Sequence, residues 1–252
     1  MRVNRRFVLG GVAAVAMLPH QVIRTAAQST PEATTMVAPG YGVARVRVLP
    51  SPELNAAIFP DVMARFLPAT EAVPGYAGYI FSNSTSDPSA SITMTFTADE
   101  AAAAAASEVA KSYVAGLDPR FEVETPIAEE GPVRTWQVTD RPASELPPFL
   151  NGCQLTMRNR TNAPGTDGDA ITAKVNAELA PQLAALPGFV LYCVIVQDEG
   201  RTAINIWETA EHLAAGNDLV RAWATANFPD AFTGDPVVSN GVVGYANIVG
   251  FV

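Results

Sequence analysis

Cysteine and histidine are scarce. The chain has two of each among 252 residues. No CxxC pair and no Cys/His cluster at ligand spacing exists, so zinc-ribbon and similar metal folds are excluded and no metal or cofactor is expected. Cys153 and Cys193 both lie in apolar, strand-like runs, where cysteine acts as a small hydrophobe, and a disulfide between them is disfavoured.

Basic residues are also few. Four of the 16 fall in the first 27 residues, which contain no acid. The rest of the chain sets twelve against 25 acidic residues, a net charge of −13. Phosphate contacts need a basic face, so nucleic acid is excluded as a partner and an anionic membrane is disfavoured. Residues 163–170 (APGTDGDA) are glycine-containing but acidic, without the lysine of a phosphate loop. No Ser-His-Asp set with a GxSxG turn can be assembled. The apolar run at 7–18 has 12 residues, well short of the ~20 that span a bilayer.

That run has another use. It follows Arg2, Arg5 and Arg6 and precedes the small residues Thr25-Ala26-Ala27, the pattern of a secretory signal. Arg5-Arg6 followed by Phe7-Val8-Leu9 resembles a twin-arginine signal; a Sec signal that happens to carry two arginines is the alternative. Residues 1–27 are therefore read as a signal peptide and 28–40 (QSTPEATTMVAPG) as a flexible linker. The expected location is exported: periplasmic, cell-envelope or extracellular.

The remainder divides into two similar units, 41–139 and 151–252, joined by the Pro-rich segment 140–150. AVPGYAGYIF (72–81) answers ALPGFVLYCV (185–194), and SITMTFTADEAAAAAAS (91–107) answers TAINIWETAEHLAAGND (202–218). Val62 and Pro68 stand opposite Val175 and Pro181, and Val109 opposite Val220. Each unit reads as strand, helix, strand, strand, helix, strand. In the first these are 43–49, 54–70 with Pro60 marking the helix start, 76–83, 91–97, a helix opened by Asp99, and 131–139. This βαββαβ order is ferredoxin-like, an α+β unit whose sheet carries helices on one face only. Two such units can press their open faces together, giving a pseudo-dimeric α/β barrel that is plausible as a monomer.

Leu186-Pro187-Gly188-Phe189, Trp207-Glu208 and the helix start at 211–215 carry a family resemblance. They resemble the antibiotic-biosynthesis-monooxygenase-like group of the dimeric α/β-barrel superfamily, over nearly all of residues 42–250. The resemblance implies the barrel fold and a pocket between sheet and helices in each unit. Some members oxidise aromatic polyketides without metal or flavin, some degrade haem, and some isomerise or dehydrate small molecules. Haem-degrading members place an axial histidine along the second helix. The stretch Ala215-Gly216-Asn217-Asp218 has none, which argues against haem.

Aligned strand on strand, Ile92, Met94 and Phe96 of the first unit become Ala203, Asn205 and Trp207 of the second. The second unit thus gains room and a carboxamide. Cofactor-free members are similar in holding an enol or phenol with Asn, Trp, Tyr and Arg side chains. By that resemblance Asn205 would bind substrate oxygen, Trp207 would form an apolar wall, and Tyr192 or Arg158 would stabilise negative charge. Alternatively Trp207 fills the core and Asn205 bonds to backbone. His212, beside a helix N-terminus, is a candidate neutral base or merely a partly solvated residue. Arg47 and Arg158 align, which suggests a shared structural role at the seam, or an anion site. The expected ligand is a small apolar or aromatic molecule. A cofactor-free monooxygenase or isomerase and a non-catalytic binding or structural protein are the two functional readings.

Overall fold

A computed structural model describes residues 38–122, 126–142 and 145–248. The signal lies outside the described residues. The first unit comprises β1 (Tyr41–Val48), α1 (Pro52–Asp61), α2 (Leu67–Glu71), β2 (Tyr76–Ser84), β3 (Ala90–Thr97), α3 (Glu100–Ala115) and β4 (Ile127–Val138). After the short α4 (Leu146–Leu150), the second comprises β5 (Gln154–Asn162), α5 (Gly168–Lys174), α6 (Ala180–Ala184), β6 (Phe189–Gln197), β7 (Gly200–Trp207), α7 (Ala210–Asn227) and β8 (Phe232–Asn247).

All eight strands close into one antiparallel barrel in the order β1-β3-β2-β8-β5-β7-β6-β4. Within each unit the order is the ferredoxin-like one, with the first and third strands central. The fourth strands make the closure. β4 pairs with β1 over Ile127–Pro132 and then crosses to β6 from Val133 onward. β8 pairs with β5 and then crosses to β2 over 241–247. One-residue bulges at Arg134 and Gly244 mark the two crossings. A bulge adds local bend and twist, which a closing sheet needs. At the first crossing Asn176 accepts from Thr135 Oγ1 at 2.7 Å and donates to the Arg134 carbonyl at 3.0 Å.

Apolar residues from both units fill the barrel, including Ile80, Ile92, Met94, Phe96, Leu155, Met157, Cys193, Ile195, Ile204 and Ile206. Leu150 of α4 joins them, so the joining segment contributes to the core. It is also tied down by Arg141, which bonds Glu208 at 2.7 Å and covers the Phe149 ring at 3.4 Å. Both thiols are free and buried. Two further cores lie between the outer sheet face and the helices of each unit.

Pro60 does not start its helix. Ser51 caps α1, its Oγ accepting from Leu54 N at 3.3 Å, and Pro52 occupies the first turn, where a missing N–H costs nothing. Pro60 sits inside α1, just before a π turn at Val62–Phe66. The second unit has the same turn at Val175–Leu179, with Ala173 where Pro60 stands. The π turn is thus a property of the fold and not of the proline.

Candidate functional site

The structure corrects the match between the two units by one residue. Tyr79 pairs with Thr95, and Tyr192 with Asn205. Asp99 caps α3 through Ala102 N, and Thr209 caps α7 through His212 N. Ala102 rests on Gly75 of the first Pro-Gly turn (φ +83°), and His212 on Gly188 of the second (φ +71°). Thr97 is therefore the counterpart of Trp207, Thr95 of Asn205 and Thr93 of Ala203. Likewise Arg45 answers Arg158 and Arg47 answers Arg160, because Arg45 pairs with Thr93 and Arg158 with Ala203.

A one-residue slip turns every side chain to the opposite face of a strand. Ile92, Met94 and Phe96 line the barrel interior, whereas Ala203, Asn205 and Trp207 face the helices of the second unit. The comparison that gave the second unit extra room does not hold.

The second unit is closed by its aromatic residues. Trp207 is fully buried, edge-on to Phe189 with ring centroids 5.5 Å apart. Trp223 packs in the same layer. Asn205 is also fully buried, between Thr156 and Tyr192 in the strand register. Both amide atoms of Asn205, the Trp207 indole N–H and Arg158 Nη1 lack hydrogen-bond partners among the described residues. Burial raises the Tyr192 hydroxyl, followed by Cys193, against an opposing effect of Arg158. So Asn205, Tyr192, Trp207 and Arg158 do share one region, but Asn205 and Trp207 have no exposed surface. His212 does not join them. Its ring lies over Gly188 in the first turn of α7, where a β-carbon on that glycine would come within 1.8 Å of Nδ1.

Among the described residues an open cleft lies in the first unit. There β3 turns only Ser91, Thr93, Thr95 and Thr97 toward the helices, and α3 supplies an alanine run. The alanine wall of α3 bounds a cleft of about 720 Å³ between α3, β1 and β4. A hollow of about 40 Å³ shares Arg45, Arg47 and Val114 with it and reaches Phe66, Tyr79 and Tyr113. Arg45 and Arg47 project from one face of β1. Alternate strand residues lie ~6.6 Å apart, and like charges at that spacing repel by ~2.5 kcal/mol at an effective dielectric of ~20.

Arg45 Nη2 donates to Ser107 Oγ at 2.9 Å, a neutral partner. Neither arginine forms an ion pair among the described residues. Desolvation lowers the pKa of Arg45, as does Arg47, while Glu130 acts the other way. Desolvation also lowers Arg47, opposed only by Tyr79 and Tyr113. Burial pushes Tyr79 up to about 12, despite the two arginines. The arrangement offers two cations and two neutral phenols: it can stabilise an anion or charge developing on oxygen. Sequence reading placed Arg45 and Arg47 on a strand and passed over Tyr79, Ser107 and Tyr113. The available signal was the Ser/Thr alternation of β3 opposite the alanine run.

No protein-family model and no curated protein sequence matches the chain. Solved structures do. A provisionally named monooxygenase from Fusobacterium nucleatum subsp. nucleatum is 10% identical with a TM-score of 0.64, over 86% of this chain and 98% of that one. An anthrone oxidase-like protein is 13% identical with a TM-score of 0.58, over 86% and 96%. A mutant chlorite dismutase from Candidatus Nitrospira defluvii is 12% identical with a TM-score of 0.50, over 81% and 92%. At such identities the likeness concerns fold alone. The chain has the dimeric α/β-barrel fold, with both halves in one polypeptide.

Proposed function

We propose that this chain is an exported small-molecule-binding protein of the monooxygenase-like barrel type, working through the cleft of its first unit. One observation carries the reading: Arg45 and Arg47 face an open, partly apolar cleft, and among the described residues no carboxylate is bound to either. Cleft volume falls in the range of small-molecule sites, ~300–1,000 Å³. The second unit supports the first by completing the barrel.

Cofactor-free oxidation or isomerisation of an apolar or aromatic substrate is the chemistry such a site would support. The arginines would stabilise an enolate or a reduced-oxygen anion, and Ser107 would orient Arg45. The named monooxygenase and anthrone oxidase-like structures give this reading its direction. Binding without turnover is the second reading. It is favoured by the high Tyr79 pKa, which leaves that hydroxyl unfit as a base near neutral pH.

A thermal-shift screen with naphthalene-sized aromatics and anthrone tests the cleft. Ligand at ~100 times Kd stabilises by ~2.7 kcal/mol, a rise of roughly 5–10 °C for a domain of this size. Ala103→Leu, which fills the α3 wall, abolishes the rise. A rise unchanged in that variant puts the ligand elsewhere. Loss of the ligand's absorbance under air, with the purified chain alone, separates turnover from binding. Export is tested by Arg5→Lys with Arg6→Lys: retention in the cytoplasm supports the twin-arginine route, and continued secretion supports Sec.

A further inference from the structure

The geometry points to an organic monoanion as the ligand of this cleft: an apolar, flat or elongated body ending in a carboxylate-type oxygen anion held between Arg45 and Arg47. The inference rests on the first-unit cleft being the working site.

Four observations converge. First, the two arginines are neighbours of like charge on one strand face, and among the described residues nothing acidic is bonded to either. Other arginines of the chain have been given partners: Arg65 pairs with Asp61, Arg120 with Asp118, Arg141 with Glu208 and Arg221 with Asp218.

Second, Arg160, the second-unit counterpart of Arg47, is stacked together with Arg201 on an aromatic face. Arg160 lies 4.9 Å and Arg201 5.7 Å from the Phe232 ring centroid. In the first unit Ser91 stands where Arg201 does, and no cation–π contact of Arg45 or Arg47 occurs among the described residues. A pair of partly desolvated guanidinium groups with neither carboxylate nor ring is complementary to one anionic head.

Third, part of the lining is suited to an apolar body. Ala103, Ala104 and Val114 of α3 face Ala128 of β4 and the neighbouring Pro126.

Fourth, the Tyr41 side of the cleft is acidic, beginning at Glu130, which itself acts on Arg45. Glu100 opens α3, and Glu130 pairs with Val43, on the Tyr41 side of Arg45. Burial raises the Tyr41 hydroxyl, and Glu130 and Glu100 raise it further. That end repels a second negative group, so polyanions such as nucleotides are excluded and the far end of the ligand is neutral or basic. Glu108, also on the rim, is occupied by Lys111 at 2.6 Å.

Isothermal titration of the full chain with 2-naphthoate, its neutral isostere 2-naphthamide and the dianion naphthalene-2,6-dicarboxylate decides the matter. The expected result is that 2-naphthoate binds at least about tenfold more tightly than either other compound. Arg47→Gln removes about tenfold or more of the 2-naphthoate affinity and leaves the amide unchanged; Arg158→Gln in the second unit changes neither. Raising salt tenfold weakens naphthoate and spares the amide in the unmutated chain, which keeps the test valid should Arg47→Gln misfold. Equal binding of acid and amide, or a salt-insensitive acid, overturns the anion inference while the cleft reading stands. Tighter binding of the dianion overturns the monoanion assignment. Binding of none of the three removes the cleft reading and this inference together.

Discussion

Trp207 lies against the bare α-carbon of Gly216, so closely that a β-carbon there would come within 2.2 Å of the indole. The first-unit counterpart of Trp207 is the much smaller Thr97. Gly216→Ala should destabilise the protein in chemical denaturation, although alanine is worth ~1 kcal/mol more than glycine inside a helix. Trp207→Thr should cost ~3–5 kcal/mol, the range for deleting a large buried aromatic. A stabilised Gly216→Ala variant would contradict the packing.

Among the described residues Asn205 makes no hydrogen bond with either amide atom, and it has no exposed surface. A buried polar group without partners costs ~1–3 kcal/mol. Asn205→Leu is therefore expected to leave the melting temperature equal or higher, and to leave ligand binding in the first-unit cleft unchanged. Lost binding would return the site to the second unit.

Asn176 of the second unit bonds both Thr135 and the backbone of Arg134, where β4 crosses between sheets. Asn176→Ala removes both bonds at the seam. A loss of ~1–3 kcal/mol is expected in denaturant unfolding. No loss would mean that the crossing is held by strand pairing alone.

Alkaline pH should unfold the protein. Burial raises Cys153 from 9.0 to about 11, with Glu208 adding to the rise, and raises Tyr79 from 10.0 to about 12. A group whose folded pKa is raised holds its proton more tightly when folded. The stability so conferred is full below the unfolded pKa and declines as pH climbs through the folded one. Melting temperature should be level up to about pH 9 and fall between about 9 and 12. A level profile through pH 11 would show these groups to be accessible.

The fold was legible because its signals are local and repeated. Pro74-Gly75 and Pro187-Gly188 mark the same turn, and Asp99 and Thr209 the same cap. The site was not, for a physical reason. β3 is buried at every residue and β7 at all but one, so hydrophobic alternation does not say which face is the barrel interior. The connection between β2 and β3 is three residues longer than that between β6 and β7. A gap misplaced by one residue there put Phe96 opposite Trp207, inverted both faces, and assigned the open pocket to the unit that an indole fills. Pro60 also misled: Ser51 and Pro52 form the true helix start, more than two turns upstream.

A crystal structure of the full chain with 2-naphthoate tests the central claim most directly. The account predicts the carboxylate between the guanidinium groups of Arg45 and Arg47, with the ring along the alanine face of α3 and the layer around Trp207 unchanged. Density for the ligand beside Trp207 and Asn205, with the first-unit cleft empty, would contradict it.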